Sequence, residues 1–407
     1  MKSIKVRLEL NQENRSLAAQ HAGAARYAYN WGLEKSQKAY QSTQKRPTAV
    51  DLHKEWVVFK NTEATWAQSV SKCAPQEAFR HLNQAYQRAF KMEHVRLPKF
   101  KKKGQKDSFY LEGSIHLKGN RIKLPKFGWV KCSEALPQGL VVKNVTVSRH
   151  ADHWFVSFKI PYSKTVQSAD SYGMTQSIIG VDLGIKTLAT FSDGQTIAHK
   201  RPYKHHKRKL RLAQRQASKK YIKGKSAKEQ SNNYQKAQAN VAKIYYKIAC
   251  IRKDALHQVT TRLAKNHREV VIEDLNVKGM SRNHKLASAI LDGGFYEFRR
   301  QLTYKCDWYG SKLTVVDRFY PSSKMCSGCS KVKKELELKE RTYCCEHCGL
   351  SIDRDLNAAL NLRNKAVSYT ASACGVFKPP NDSLVGNTVK QEADCKMDNV
   401  QDCVSSA

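Results

Sequence analysis

The chain has 407 residues and sets 72 Lys and Arg against 35 Asp and Glu, a formal net charge of +37. That is far beyond the magnitude of about 2–8 that keeps a small domain soluble, so it calls for an anionic partner. No apolar run is long enough to span a bilayer and no lipid signal is present, so the expected partner is nucleic acid and not a membrane.

At this length, units of roughly 100–200 residues predict two or three packed domains with insertions. The opening MKSIKVRLELNQ is broken by Lys5, Arg7 and Glu9 and lacks the apolar stretch of a secretory signal, which predicts a cytoplasmic protein. The twelve cysteines are mostly scattered, with one regularly spaced group, as suits a reducing compartment and a single metal site.

Ile4, Val6, Leu8 and Leu10 alternate with charged residues, the pattern of a half-buried strand. From about Gln12 the period becomes helical: Leu17, Ala24, Tyr27, Trp31 and Leu33 fit one helix, and Phe79, Leu82, Tyr86 and Phe90 give a second helical face. RLPKFKKKGQKDSFYL then reads as a basic connector. Strand-like runs follow at NRIKLPKF, LVVKNVTVSR and HWFVSFKIPY, with a turn at Gly119 and Asn120, so the first strand is expected to complete a β-barrel or sandwich around an inserted helical block.

After the polar SKTVQSADSYGMTQ, an apolar run ends in Asp182, and Asp193 and Gly194 signal a hairpin. A very basic region of helical character reaches about Asn266; its density of cations favours a nucleic-acid surface over a merely solvated face. REVVIEDLN reads as a buried strand ending in acids, FYEFRRQLTYKCDWYG as a helix and KLTVVDRFY as another strand, an α/β layer. From about Ser368 the cation excess disappears and Asn, Asp, Ser, Gly and Pro accumulate, which predicts a disordered tail.

Cys326 and Cys329 have CxxC spacing, Cys345 and Cys348 repeat it, and 15 residues lie between the pairs, within the range of a four-cysteine zinc ribbon. Four thiolates leave no open position, so the expected Zn²⁺ is structural. Cys344 competes with Cys345, but only Cys345 forms a CxxC followed by glycine, Gly349.

Three acids stand at element ends. Asp182 alone reads equally as a turn residue or cap, and Glu273 as a salt-bridged surface acid. Asp353 is placed as an N-cap. Asp355 falls in the first turn of a helix on the face of Ala359 and Leu362, so packing that face on the sheet would aim its carboxylate at the strand ends. Converging carboxylates are costly without a cation, and hard oxygen ligands suit Mg²⁺ or Mn²⁺, which two at a time can hydrolyse a phosphodiester.

In this order, GVDLGIKTLAT, VVIEDLNVKGM, FYPSSKMCSGC and CCEHCGLSIDRDLNAALN closely resemble the TnpB (OrfB) proteins of bacterial insertion sequences, relatives of type V CRISPR effectors and eukaryotic Fanzor proteins. YNWGL and RIKLPKFGWVK extend the resemblance over nearly the whole chain, the tail excepted. It implies an α+β multidomain fold: a RuvC-like α/β nuclease domain of the RNase H type with an inserted zinc ribbon, and an N-terminal wedge β-barrel with an inserted helical recognition domain. The implied boundaries are residues 1–10 and 96–163 for the barrel, 11–95 for the helical domain, 164–176 for a linker, 177–322 and 351–367 for the nuclease domain, 323–350 for the ribbon and 368–407 for the tail.

By motif position Asp182, Glu273 and Asp355 match the three catalytic acids; the third belongs to a DxN step, here Asp355, Leu356 and Asn357, which prefers Asp355 to Asp353. The resemblance further implies a guide RNA, double-stranded DNA as target, a short flanking DNA motif read by protein, a catalytic Mg²⁺ or Mn²⁺ and a monomer within the ribonucleoprotein, in the bacterial cytoplasm and at the nucleoid when bound. Lys72 and Gln76, one helical turn apart, are candidates for contacts to base edges or phosphates, though two polar residues on one face are commonly just solvated. Lys101, Lys102 and Lys103 in the connector, and Lys204, Lys207, Arg208, Lys209 and Arg211 in the basic helix, are candidates for the phosphate backbone. The competing expectations are a nuclease-inactive RNA-guided regulator, against which the intact acids argue, a transposase performing strand transfer, and a zinc-ribbon transcription factor, which leaves Asp182 and Glu273 unexplained.

Overall fold

A computed structural model describes residues 2–161, 175–225, 229–337 and 339–373. The expected tail from Ser368 falls almost wholly outside them, and so does most of the expected linker, whose last residues, Thr175 and Gln176, already belong to a strand.

The first unit is a single antiparallel sheet of seven strands: β1 (Lys2–Glu9), β2 (Ser108–Glu112), β3 (His116–Lys118), β4 (Arg121–Leu124), β5 (Gly128–Cys132), β6 (Asn144–His150) and β7 (His153–Ile160). Their spatial order is β2-β6-β7-β1-β5-β4-β3, so the N-terminal strand is central, paired to β7 from Lys2↔Ile160 to Leu8↔Trp154 and to β5 at Leu8↔Cys132. Alternation decides which face is inside: Val6 and Leu8 are buried while Lys5, Arg7 and Glu9 are exposed. Phe109 on β2 and Ile122 on β4, from opposite ends of the order, share one core, so the sheet is curled on itself. The connector read from the sequence ends earlier than expected, because SFYLE is β2, paired to β6 from Ser108↔Ser148 to Glu112↔Asn144; the lysines before it hide its alternation.

Between β1 and β2 lies the helical block of α1 (Gln12–Thr43), α2 (Ala49–Thr62) and α3 (Cys73–Lys91). Asn11 caps α1 by accepting the N–H of Asn14. Ala18, Ala22 and Ala25 of α1 pack on the curled sheet; further along, Ala28, Tyr29 and Leu33 pack with Leu52, Trp56, Phe79 and Leu82 of α2 and α3. One helix thus serves two cores. Phe90 departs from its expected place on the buried face: it is exposed, stacked on Tyr86 under the Arg46 guanidinium.

The second unit contains β8 (Thr175–Asp182), β9 (Thr187–Phe191), β10 (Thr196–Ala198), α4 (Pro202–Lys219), α5 (Asn232–Asn266), β11 (His267–Glu273), α6 (Val277–Met280), α7 (His284–Gly293), α8 (Phe295–Tyr309) and β12 (Lys312–Val316). Its sheet has the order β10-β9-β8-β11-β12: β8, β9 and β10 are antiparallel neighbours, and β11 and β12 extend β8 in parallel. Ile179, Val181, Val270 and Ile272 share a core with Leu256 and Leu263 of α5 and Phe298 and Leu302 of α8. By period two, residues 178, 180 and 182 of β8 and residues 271 and 273 of β11 face the opposite side. That side is covered by α9 (Arg354–Ala373), through Leu362 and Ala366 against Ile178, Val271 and Val316.

Gly180 sets how closely α9 lies. A Cβ there would run into the backbone carbonyl of Ala359 and come within 2.7 Å of the Arg363 nitrogen. Only glycine lets the helix backbone rest on the strand. The small lobe between β12 and α9 carries β13 (Thr342–Cys344) paired with β14 (Ser351–Asp353), and β14 runs directly into α9.

Candidate active site and metal centre

Asp182 is the last residue of β8 and Glu273 the last of β11, neighbouring parallel strands whose preceding residues Val181 and Ile272 are paired. Parallel pairing puts both carboxylates at the same end of the sheet, and period two puts both on the α9 face. Asp355 enters from above, in the first turn of α9, four residues before Ala359 on Gly180. The Asp182 carboxyl is pushed up to about 7, first by burial, then by the charges of Asp355 and Glu273, with Arg354 opposing. Burial also raises Glu273, against a hydrogen bond donated by the Ser322 hydroxyl. The three acids therefore share one field.

Each motif pairs an acid aimed at this site with one that is otherwise engaged. Asp353 Oδ1 accepts the N–H of Asp355 at 2.9 Å and of Leu356 at 3.0 Å, so it caps α9. Asp274, next to Glu273, is held by Arg299 and by Arg318, whose guanidinium keeps its carboxyl below the usual range. The surface ion pair that Glu273 might have formed thus belongs to its neighbour.

In the small lobe, Cys326, Cys329, Cys345 and Cys348 bring their sulfurs together, with Cys326–Cys348 at 3.6 Å and Cys329–Cys345 at 3.5 Å. The two knuckles repeat one backbone pattern. Cys326 N–H donates to Lys331 and its carbonyl accepts from Ser330, while Cys345 N–H donates to Leu350 and its carbonyl accepts from Gly349, all at 2.8–3.0 Å. Hydrogen bonds from the Cys348 and His347 backbone lower the Cys345 thiol to about 6, while the neighbouring thiols raise Cys329 and Cys348, so the metal-free group favours one thiolate among its four sulfurs. Four thiols in a closed group fit a structural zinc. Cys344 points elsewhere: it is exposed, with its sulfur 3.7 Å from the Ser351 hydroxyl.

A ladder of asparagines joins lobe to site; sequence reading named Asn357 only as part of the DxN step, without this role, and missed Asn361. Asn357 accepts the N–H of Ser327 at 3.0 Å and donates to the Met325 carbonyl at 2.7 Å, while Asn361 donates to Ser322 at 2.8 Å and Met325 at 2.7 Å. Both amides are buried. Their spacing of four on a helix otherwise read as apolar was the available signal.

The profile described as "Probable transposase", OrfB of the IS605 type, matches residues 159–284. The profile "Cas12f1-like, TNB domain" matches residues 295–362. A protein of Streptomyces pristinaespiralis named as an RNA-guided DNA endonuclease is 35% identical over 96% of each chain. The TnpB (OrfB) family claims this chain. InsQ of Escherichia coli K12, another TnpB relative named as an RNA-guided DNA endonuclease, is 33% identical over 87% of this chain and 89% of its own. A solved Cas12f1 complex with single-guide RNA and target DNA matches over 88% of this chain and 84% of that one, with a TM-score of 0.51 at 16% identity, a likeness of fold. A "Helix-turn-helix domain" profile also matches residues 1–45, but in this TnpB chain they form a strand and one uninterrupted helix.

The remaining candidates of this TnpB chain fall on two surfaces. Lys72 is exposed at the N-terminus of α3 and Gln76 stands half-buried one turn on, with Pro75 tolerated inside the first turn. His21 was missed: buried, it accepts the Ser71 N–H at 3.0 Å and so pins the start of α3. Lys101, Lys102 and Lys103 line a cavity of about 930 Å³ with Tyr27, Asn30 and Trp66. Asn30 fixes that loop by bonding both the N–H and the carbonyl of Lys101. Lys204, Lys207, Arg208, Lys209 and Arg211 form the exposed face of α4, whose Leu210, Ala213 and Ala217 pack on Val241, Ile244 and Ile248 of α5. None of these five cations has an ion-pair partner among the described residues.

Proposed function

We propose that this protein is an RNA-guided DNA endonuclease of an insertion sequence, hydrolysing DNA phosphodiesters at Asp182, Glu273 and Asp355. The observation that carries this reading is the meeting of three acids at one end of the second sheet, with Asp182 held in a field of like charge. Such an arrangement is unfavourable without a cation. The donor set, hard carboxylate oxygens, fits Mg²⁺ or Mn²⁺, and the four thiols do not. When bound there, such ions supply activation of water and stabilisation of the leaving oxygen.

The chain's own residues do the rest. Gly180 sets the approach of Asp355 to Asp182, Asp353 holds the first turn of α9, and Asp274 keeps two arginines beside Glu273 without competing for the site. In this reading residues 177–322 with 351–367 form a RuvC-like nuclease domain and residues 323–350 its zinc ribbon. Residues 1–10 with 96–163 form the wedge barrel, and 11–95 the recognition domain. The exposed cations of α4 and those of the Lys101–103 loop, with Lys72 and Gln76, take the RNA and the DNA duplex. An excess of +37 exceeds what a short cleft on DNA can neutralise, which favours a continuously bound guide RNA.

The test is to purify the protein at moderate salt, sequence the RNA that comes with it, and replace only the guide segment. Cleavage should require Mg²⁺ or Mn²⁺ and should move to the DNA site matching the new guide beside the same flanking motif. Site choice that survives guide replacement points instead to a protein that reads DNA unaided.

A further inference from the structure

The end of the five-stranded sheet that carries the acids also carries a basic cavity. β8 ends at Asp182, β9 starts at Thr187 after a short turn, and β10 runs in the direction of β8 and ends at Ala198. The β8–β9 turn, the end of β10 and the start of α4 therefore all sit at the same end of the sheet as Asp182 and Glu273. Between them is a cavity of about 730 Å³ whose lining includes Lys186, His199, Arg201, Lys204 and His205 and no carboxylate among the described residues. Arg201 holds its shape. The Arg201 backbone is in the left-handed region, at φ 44°, which an L residue enters only at a cost. Its N–H donates to His199 Nδ1 at 3.0 Å, and its Nη2 donates to the carbonyls of Ile185 at 3.4 Å and Lys186 at 3.1 Å, so the end of β10 is clasped to the β8–β9 turn. The N–H groups of Tyr203 and Lys204 are taken by the buried Asp292 carboxylate at 3.1–3.3 Å, so the start of α4 is satisfied from within and the cavity's charge is that of its side chains. Lys186 and Lys204 are exposed and meet no acid among the described residues.

We propose that this cavity holds a phosphate of the DNA strand being cut, within a few nucleotides of the scissile one, with Lys186 and Lys204 as its main contacts. This rests on the reading that Asp182, Glu273 and Asp355 cut DNA. In the order β10-β9-β8-β11-β12 the cavity lies on the β10 side of Asp182, two strand spacings or about 10 Å away. A strand whose scissile phosphate sits among the acids passes over it. Cations gathered without a carboxylate suit an anion, and a phosphate held there fixes the register of the strand without reading its sequence. Guide RNA has the same phosphates, but the place of the cavity beside the acids favours the strand that must reach them.

The experiment is single-turnover cleavage by the reconstituted ribonucleoprotein in saturating Mg²⁺, with guide RNA affinity and target binding measured separately without Mg²⁺ or Mn²⁺. Lys186→Gln combined with Lys204→Gln should cut about tenfold more slowly, with both affinities unchanged. Lys186→Arg combined with Lys204→Arg keeps the charge and should recover most of the rate. DNA carrying one neutral methylphosphonate, moved through the positions flanking the cut, should slow the wild type at one position and slow the glutamine double variant no further there, because the two changes remove the same contact. Wild-type cleavage by the glutamine double variant overturns the proposal, and so does equal loss in the glutamine and arginine double variants. A fall in guide RNA affinity that accounts for the lost cleavage overturns it as well and assigns the cavity to RNA. Asp182→Asn, run in parallel, tests the underlying reading: full activity there overturns the site itself, whereas an inactive Asp182→Asn beside a normal glutamine double variant removes only the cavity's role.

Discussion

The thiol cluster and the carboxylate cluster lie a few residues apart in the chain, at Cys348 and Asp355, yet they are built on opposite principles. The thiols are already gathered within 4.8 Å, each knuckle closed by its own backbone hydrogen bonds. The carboxylates come from three distant segments, and burial together with the charges of Asp355 and Glu273 raises the proton affinity of Asp182. A closed soft site contributes to folding, whereas an open hard site sits in a field that a cation must relieve. The contrast separates what each cluster does when broken.

The largest effect belongs to the open site. Asp182→Ala, Glu273→Ala and Asp355→Ala should each lower DNA cleavage by roughly 10³-fold or more while guide RNA affinity stays near wild type, because ligands act as a unit and affinity rests on dispersed cations. Asp353→Ala loses a helix cap, about 1 kcal/mol, and should retain measurable cleavage. Parallel cleavage and RNA-binding assays check this; normal cutting by the Asp355 variant with loss in the Asp353 variant would reverse the two roles.

Breaking the closed site should act through folding. Cys345→Ser should lose zinc and loosen the lobe, and cleavage should fall with it, since Asn357 and Asn361 anchor α9 to that lobe. Cys344→Ser should keep full zinc and stability. Metal analysis and thermal melts separate the two, and full zinc in the Cys345 variant would move the ligand to Cys344.

Proton competition sharpens the comparison further. With Asp182 raised to about 7, a proton must leave before a cation binds, so the Mg²⁺ needed for half-maximal cleavage should rise as pH falls, by about fivefold between pH 7 and 6. The stability sign runs the other way. An acid raised in the folded state contributes stability below its ordinary value that is lost as pH rises through about 7, so in zinc-loaded protein without added Mg²⁺ or Mn²⁺ Asp182→Asn should melt higher than wild type at pH 8 and not at pH 4. Equal melting at both values would show that the like charges are relieved without metal.

Much of this architecture was legible because it rests on local pattern. The strand runs ending in Asp182 and Glu273, the alternation of β1 and the two CxxC turns are each written in a few consecutive residues. What could not be read depends on partners distant in sequence. Nothing near Glu273 says that Asp274 meets Arg299 and Arg318, and the difference between Asp353 and Asp355 needed either the cap geometry or a family motif. β2 was hidden by the lysines before it, and Phe90 was placed inside by its helical spacing although it stays exposed, with only the Arg46 guanidinium and Tyr86 against its ring among the described residues. Ser322 and the asparagine ladder are polar residues in buried places, which composition and periodicity do not flag.

The smallest effect tests the closed site against itself. The fourth residue after the first cysteine of each knuckle donates its N–H back to that cysteine, and both occupy the left-handed region, Gly349 at φ 72° and Ser330 at φ 61°. An L residue there costs roughly 1–2 kcal/mol, and glycine gives back about 0.5–1 kcal/mol through its freer unfolded chain. Ser330→Gly should therefore stabilise the zinc lobe by roughly 0.5–1 kcal/mol, the difference between those two terms. Gly349→Ala should destabilise it by about 1 kcal/mol purely through backbone strain, because a Cβ at that position meets nothing within 4 Å. Chemical denaturation of the zinc-loaded protein, followed by zinc release, reads both. If Ser330→Gly loses stability instead, its side chain contributes more to the first knuckle than its backbone costs, and the two halves of the thiol site are not equivalent.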